Sequence, residues 1–189
     1  MTLAERFRDI EPEQVRLLKR AEYELMIDEG LFADERVELL RGVIVEKSPQ
    51  DPLHAGVTQI LTEKLVPALT GQASIRIQLP LALSEDALPE PDVAIVPAGD
   101  YRQMHPTTAL LVIEVAGASL RKDRTLKSEM YAEAGILEYW VVNLRDRVVE
   151  VHTHPRVGLY ENRQTVRPGE VVHLQSFPDI GIAIADLVG

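Results

Sequence analysis

Two acidic residues interrupt apolar segments of the chain in positions that could do chemistry. Asp92 begins the segment DVAIV, and Glu114 lies inside the segment LLVIEVAG. A carboxylate buried alone costs several kcal/mol unless a cation or hydrogen-bond donors compensate it. If both segments are neighbouring strands of one sheet, both carboxylates can reach one point. Such a pair would suit Mg2+ or Mn2+, which prefer oxygen ligands. The alternative is structural, with Asp92 capping its strand and Glu114 paired with an arginine.

A second group of polar residues has helical spacing. Asp123, Lys127 and Tyr131 stand four residues apart and therefore line one face of a helix. On spacing alone, Asp123 and Lys127 predict a surface ion pair worth about 0.3–0.5 kcal/mol. The basic residues around them, Arg121, Lys122 and Arg124, are the best candidates for contacts to phosphate groups.

Four further residues are weaker candidates for the same site. Glu38 and Glu46 lie on the two arms of a predicted hairpin, and we expect each to be a solvated strand residue unless one is recruited as a site acid. His54 stands at the start of a predicted helix, where contact with a phosphate or the site competes with a capping or packing role. Gln78 lies among apolar residues and could line a cleft.

His152 and His154 share one face of a predicted strand, an arrangement that metals can use. No acidic residue adjoins them, so we expect incidental exposure. Tyr139 and Trp140 open another strand and are expected in the core or a dimer surface.

Hydrophobic spacing predicts the elements that must position these residues. Helical spacing covers 12–28, 51–69 and 123–134, the last ending at Gly135. Strand patterns cover 74–83, 92–96 and 110–116, two further strands around Arg145 and Asp146, and a hairpin within 36–48. The core order is helix, three antiparallel strands, helix, and a fourth strand parallel to the third. The predicted fold class is α/β, with a mixed α+β sheet.

Length and composition limit the kind of protein. A chain of 189 residues suits a single domain, 1–189, comprising an N-terminal helical and hairpin extension (1–50), a core (51–154) and a C-terminal extension of short strands (155–189). The lack of cysteine excludes disulfides, thiolate zinc sites and cysteine nucleophiles. The first residues lack the apolar core of a signal peptide, and no apolar run could cross a bilayer, so we expect a cytoplasmic protein without a membrane partner. The formal net charge of −10 argues against coating nucleic acid through bulk charge.

An ordered series of segments resembles the PD-(D/E)xK nuclease superfamily and, within it, the Uma-type branch of putative restriction endonucleases. The series consists of VELLRGVIVEKSP followed by His54, then EPDVAIV, LLVIEVAG and RKDRTLKSEMYAEAGILEYWVVN. The core expected of that superfamily, a helix, three strands, a helix and a strand, has the order given by periodicity.

This resemblance implies a Mg2+-dependent or Mn2+-dependent DNA endonuclease that hydrolyses phosphodiester bonds. Asp92 and Glu114 would bind the metal, with the Val115 carbonyl as an added ligand, and an acid from the N-terminal element would often join them. The motif lysine is expected two positions after Glu114, where this chain has Ala116. The resemblance implies that Lys127 replaces it. A homodimer is expected because cleavage of two strands needs two sites.

Two other functions stay open at this point. One is a catalytically silent descendant that binds nucleic acid or a protein partner. The other is a metal-dependent hydrolase of another phosphoester, which the acidic net charge favours.

Overall fold

The structure is a computed structural model that describes residues 15–189. Its helices are α1 (Arg20–Asp28), α2 (Pro52–Leu69), α3 (Leu120–Lys122), α4 (Ser128–Glu133) and α5 (Ile184–Val188). Its strands are β1 (Val37–Leu40), β2 (Val43–Glu46), β3 (Ala73–Ile77), β4 (Val93–Pro97), β5 (Leu111–Ala116), β6 (Glu138–Asn143), β7 (Val148–Arg156), β8 (Leu159–Val166), β9 (Val171–Leu174) and β10 (Phe177–Ala183). A π-helical turn, Asp123–Lys127, joins α3 to α4. We call the continuous stretch 120–133 the crossover helix.

A six-stranded mixed sheet in the order β3-β4-β5-β6-β7-β8 forms the centre of the fold. Strands β3, β4 and β5 form an antiparallel meander, while β6 runs parallel to β5 after the crossover helix. Strands β7 and β8 complete the sheet in antiparallel pairing. The predicted order of helix, three strands, helix and strand is therefore confirmed, in a mixed α+β fold.

The two faces of the sheet carry different cores. On one face, apolar residues of α2 pack with residues of β9, β10 and α5. On the other face the crossover helix contributes Tyr131, which packs with Tyr139 and Tyr160. Tyr139 and Trp140 are both fully buried, so their predicted place in the core is confirmed.

Local signals explain where the elements nearest the site begin. Asp51 caps α2 by accepting a hydrogen bond from the His54 amide at 2.8 Å, and Pro52 follows at the first helical position. In the β1–β2 hairpin, Gly42 adopts φ +75°, which favours glycine. Strands β1 and β2 pair antiparallel and confirm the predicted hairpin.

Several predicted boundaries were wrong. The strand predicted over 74–83 ends at Ile77, because Gln78 takes a left-handed φ of +52° and breaks the extended backbone. The helix predicted from Asp123 starts earlier, at Leu120, and Ser119 is its N-cap residue. The short helix α5 was not predicted in the C-terminal strand region. Of the helical segment predicted over 12–28, the described part holds α1, and 12–14 lie outside the described residues.

Candidate active site

A pocket forms where the β1–β2 hairpin, the start of α2, strands β4 and β5 and the crossover helix meet. Its lining includes Arg36, Glu38, Asp51, His54, Asp92, Glu114, Ser119, Lys122, Asp123 and Lys127. The fold thus brings together residues from five separate segments of the chain. Most of the predicted site residues lie here.

Asp92 sits at the mouth of β4 and is tied to both neighbouring elements. Its Oδ2 accepts hydrogen bonds from the Val115 amide at 2.8 Å and pairs with Nε2 of His54 at 3.1 Å. Gln78 donates its side-chain amide to Oδ1 at 3.3 Å. The hydrogen bond that His54 makes to the Asp92 carboxylate raises the pKa of His54 above its usual value. Both His54 and Gln78 therefore contact a predicted site acid.

Glu114 lies on the face of β5 that the crossover helix covers. It stands between Val112 and Ala116, which belong to the core on that face. The antiparallel register pairs Val93 with Ile113, and extending it by one residue brings Asp92 opposite Glu114. The predicted sharing of one face by the two acids is thus consistent with the pairing of β4 and β5.

Lys127 and Tyr131 reach Glu114 from the crossover helix. Lys127 Nζ lies 2.9 Å from Glu114 Oε1, and the Tyr131 hydroxyl donates to the same oxygen at 2.7 Å. Burial raises the pKa of Glu114, as do Asp123, Asp92 and Glu38, while Lys127 opposes the rise. Burial lowers the pKa of Lys127, but the surrounding carboxylates raise it by a larger amount. The ammonium group therefore stays charged.

The surface ion pair of Asp123 and Lys127 that spacing alone predicts was wrong, whereas the resemblance implied a place in the site for Lys127. The exposed fraction of Asp123 is 1% and that of Lys127 is 3%. Sequence spacing placed both residues on one helical face but could not show that this face is covered by the sheet. The π-helical turn holds them both, and such turns occur often at functional sites.

Glu38 is the second acid that holds Lys127, and its predicted solvation was wrong. Its side chain is fully buried, with Oε2 3.0 Å from Lys127 Nζ and Oε1 2.9 Å from Lys122 Nζ. The Glu90 amide also donates to Glu38 Oε2 at 3.2 Å. Burial opposes its ionisation, but the two lysines lower the pKa of Glu38 below its usual value. Glu46 on the other arm is exposed, as predicted.

Comparisons with known proteins agree with this architecture. The family model described as "Putative restriction endonuclease", Uma2, matches residues 20–185. The chain belongs to the Uma2 family. A crystal structure of a putative nuclease belonging to DUF820 from Anabaena variabilis ATCC 29413 superposes with a TM-score of 0.66 at 16% sequence identity. The match covers 86% of this chain and 96% of the other. No curated protein matches the chain.

The pocket of this Uma2 chain fits a divalent cation by charge and by donor type. Four buried carboxylates, those of Glu38, Asp92, Glu114 and Asp123, face two ammonium groups, those of Lys122 and Lys127. When all six groups are ionised, the excess of two negative charges equals the charge of one Mg2+ or Mn2+, and a bound cation would oppose the rise in the pKa of Glu114. Glu114 Oε2 accepts no hydrogen bond from residues 15–189, which leaves it available as a ligand.

Geometry restricts how such an ion could bind. Across residues 15–189, no three histidine, aspartate or glutamate side chains lie close enough together to hold a metal ion by themselves. Mg2+ commonly binds through one or two carboxylates and keeps several waters. The arrangement therefore fits an ion that binds Asp92 and Glu114 and fills its remaining positions with water or substrate.

The predicted basic residues in this Uma2 chain have mixed surroundings. Lys122 is engaged by Glu38, and Arg124 donates from Nε to Glu150 at 2.9 Å. Arg121 is exposed and has no acidic partner among the described residues. Arg36, which sequence reasoning missed, lines the pocket and likewise has no acidic partner within 15–189. No sequence signal distinguishes Arg36, because its role follows from the position of the hairpin.

The two histidines of β7 do not form a metal site. His152 is buried against Tyr139 and Tyr160, so its predicted exposure was wrong, whereas His154 is exposed. His154 adopts φ +59°, which interrupts the alternation on which the shared face was predicted. Across the described part of the chain, no helix has the length and apolar character needed to span a membrane.

Proposed function

We propose that this protein is a divalent-metal-dependent DNA endonuclease that hydrolyses phosphodiester bonds, with Mg2+ or Mn2+ as its cofactor. The observation that carries the proposal is the meeting of Asp92, Glu114 and Lys127 in one pocket, with Lys127 Nζ 2.9 Å from Glu114. The Uma2 family and the DUF820 fold neighbour support a nuclease.

Asp92 and Glu114 would hold the ion, and the Val115 carbonyl beside them is a further candidate ligand. When bound, such an ion would polarise the phosphate and acidify an attacking water. Asp92 is oriented for this role by His54 and the Val115 amide. Tyr131 and Lys127 both bind Glu114 Oε1, so Oε2 is the oxygen left without a hydrogen bond from residues 15–189.

Lys127 would act on the reacting groups rather than on the metal. Its ammonium can orient the attacking water or stabilise negative charge that develops on the phosphate. Glu38 holds Lys127 from the opposite side at 3.0 Å, which limits its motion. We therefore assign Glu38 as a positioning residue. Lys127 would take the place of the motif lysine, whose position in this chain is occupied by Ala116.

A cleavage assay tests the proposal. Supercoiled plasmid is incubated with the protein in Mg2+, Mn2+ or EDTA, and nicked and linear products are measured. We expect cleavage with either ion, none in EDTA, and a loss of at least about 10²-fold in Asp92→Asn and Glu114→Gln. Folded wild-type protein that cleaves no DNA with either metal would contradict the proposal.

A second candidate, hydrolysis of another phosphoester, is favoured by one observation. Arg36 lines the pocket, Arg121 precedes the pocket-lining Lys122 in the chain, and neither has an acidic partner within 15–189, so few free cations serve a chain of net charge −10. A parallel assay on small phosphodiesters and phosphomonoesters distinguishes this activity from DNA cleavage.

A homodimer would supply two pockets for double-strand cleavage, and sedimentation equilibrium tests for it.

A further inference from the structure

Asp123 carries an unpaired buried oxygen at the pocket. Its exposed fraction is 1%, and its Oδ1 accepts no hydrogen bond from the described residues. Buried polar atoms are nearly always satisfied, and an exception calls for an explanation such as an ordered water or ion. The mechanism above gives Asp123 no role, so this oxygen is unexplained by it.

Asp123 is nevertheless held by hydrogen bonds to both its side chain and its main chain. The Ser119 hydroxyl donates to Oδ2 at 2.5 Å, and the Tyr139 hydroxyl donates to the Asp123 main-chain carbonyl at 3.0 Å. Oδ1 is therefore the oxygen left over when the other contacts of Asp123 are made. Because Asp123 lines the same pocket as Asp92 and Glu114, this oxygen belongs to the same polar cluster.

We infer that Asp123 is an outer-sphere ligand of the cation, its Oδ1 accepting a hydrogen bond from a water molecule that the ion carries. The inference rests on the proposed function, in which Asp92 and Glu114 hold the ion. Direct coordination is disfavoured because no three acidic or histidine side chains within 15–189 converge closely enough on one ion. Outer-shell partners of this kind typically change metal affinity by 10–100-fold.

A purely structural role makes a different prediction. If Asp123 served only to fix the start of the crossover helix through Ser119, Asp123→Asn would weaken folding and leave metal affinity unchanged. If its charge awaits a hydrated cation, neutralising it removes an unfavourable buried charge from the metal-free protein. The metal-free variant should then unfold at the same or a higher temperature than wild type.

The experiment compares Asp123→Asn with Asp51→Asn by titrating each protein with Mn2+ alone, using calorimetry and electron paramagnetic resonance. Asp51 is an exposed acid on the same pocket, and asparagine caps a helix as well as aspartate does. The control therefore removes the same charge without removing the outer-sphere contact. We expect the Kd for Mn2+ to rise 10–100-fold in Asp123→Asn and by less than about twofold in Asp51→Asn.

Thermal unfolding with and without Mn2+ provides a readout that does not need activity. The shift in Tm on adding Mn2+ should be smaller in Asp123→Asn than in wild type. Wild-type affinity in folded Asp123→Asn, or an equal loss in both variants, would overturn the inference alone. Absence of Mn2+ binding by wild type would overturn both the inference and the proposed metal site. Wild type that binds Mn2+ but cleaves no DNA would overturn the proposed nuclease and leave the inference standing.

Discussion

Lys127 is the residue around which the acids of the pocket are arranged. It is 3% exposed and lies within 3.0 Å of carboxylate oxygens from Glu114 and Glu38. Removing one partner of a buried ion pair leaves an uncompensated charge and costs about 3–5 kcal/mol. Lys127 therefore has a structural effect beside its proposed catalytic role, and a single substitution would change both.

Lys127→Met should reduce plasmid cleavage about 10²–10³-fold, because the charge at the reacting phosphate is lost. It should also lower the free energy of unfolding, measured in urea, because Glu38 and Glu114 lose their shared partner. Lys127→Met combined with Glu114→Gln should recover stability but not cleavage, since Glu114 has no other cationic partner within residues 15–189, whereas Glu38 keeps Lys122. Near wild-type cleavage by folded Lys127→Met would remove Lys127 from the mechanism.

The burial of His152 should make the stability of the fold sensitive to acid, independently of the pocket. Burial lowers its pKa to about 4, with a further decrease from Arg163. The folded protein therefore keeps His152 neutral, while the unfolded chain takes up a proton below its ordinary pKa of about 6.5. The neutral state of His152 therefore contributes to the free energy of unfolding. This contribution is fully present above about pH 6.5 and is lost as the pH falls toward 4, a total change of about 3 kcal/mol.

His152→Phe should flatten the dependence of unfolding free energy on pH between these values, because phenylalanine does not titrate. Urea titrations at several pH values measure the effect. The matched control is His154→Gln, since His154 is exposed on the same strand. A slope between pH 6.5 and 4 that is equal in wild type and His152→Phe would assign the acid sensitivity to other groups.

At the scale of elements, the β1–β2 hairpin is as much a part of the site as the strands of the sheet. It carries Glu38 to Lys127, and Gly42 at its turn packs closely on the segment before α1. A Cβ at Gly42 would lie 2.6 Å from Leu17 Cβ and 3.0 Å from the Leu18 carbonyl oxygen. Both the positive φ and the close backbone therefore require glycine here.

Gly42→Ala should cost about 3 kcal/mol, combining the left-handed backbone penalty with a steric one. Gly71→Ala is the matched control, since Gly71 has φ +80° and no atom within 4 Å of its added Cβ. It should cost only the backbone part, about 1–2 kcal/mol. Urea unfolding compares the two, and equal losses would show that the contact with Leu17 and Leu18 is unimportant.

The elements themselves were predictable where neighbours in sequence determine them. Continuous apolar runs identified β4 and β5, and the capping signal of Asp51 and Pro52 located the start of α2. Boundaries that depend on tertiary contacts were not predictable. Gln78 takes a left-handed backbone conformation, and its side chain donates to Asp92, which lies opposite it beside the neighbouring strand and 14 residues away along the chain.

At the scale of the whole molecule, the site was predictable in its acids but not in its charge balance. Asp92 and Glu114 could be identified from the sequence because a carboxylate in an apolar strand needs compensation. The burial of Glu38 could not be predicted, because its partner Lys122 lies 84 residues away along the chain. Solvation of a hairpin residue is the better guess until the hairpin is known to close over the crossover helix.

The arrangement of charge over the molecule also limits how DNA could bind. The predicted basic cluster is largely neutralised, because Lys122 contacts Glu38 and Arg124 contacts Glu150. Arg36, which lines the pocket, and Arg121, which precedes the pocket-lining Lys122 in the chain, keep free guanidinium groups with respect to residues 15–189. A chain of net charge −10 should therefore rely on few phosphate contacts and on a bound divalent ion.

The salt dependence of DNA binding measures this directly. Each phosphate contact on duplex DNA contributes a log–log slope of about −0.9, so two contacts predict a slope of about −2. Fluorescence anisotropy with a short duplex across a potassium chloride series, in Ca2+ and in EDTA, gives the slope and the requirement for the ion. Arg36→Gln combined with Arg121→Gln should bring the slope close to zero, while the exposed Arg167→Gln, outside the pocket, should leave it unchanged. A slope steeper than about −5 would mean that DNA follows a broad basic surface rather than the mouth of this pocket.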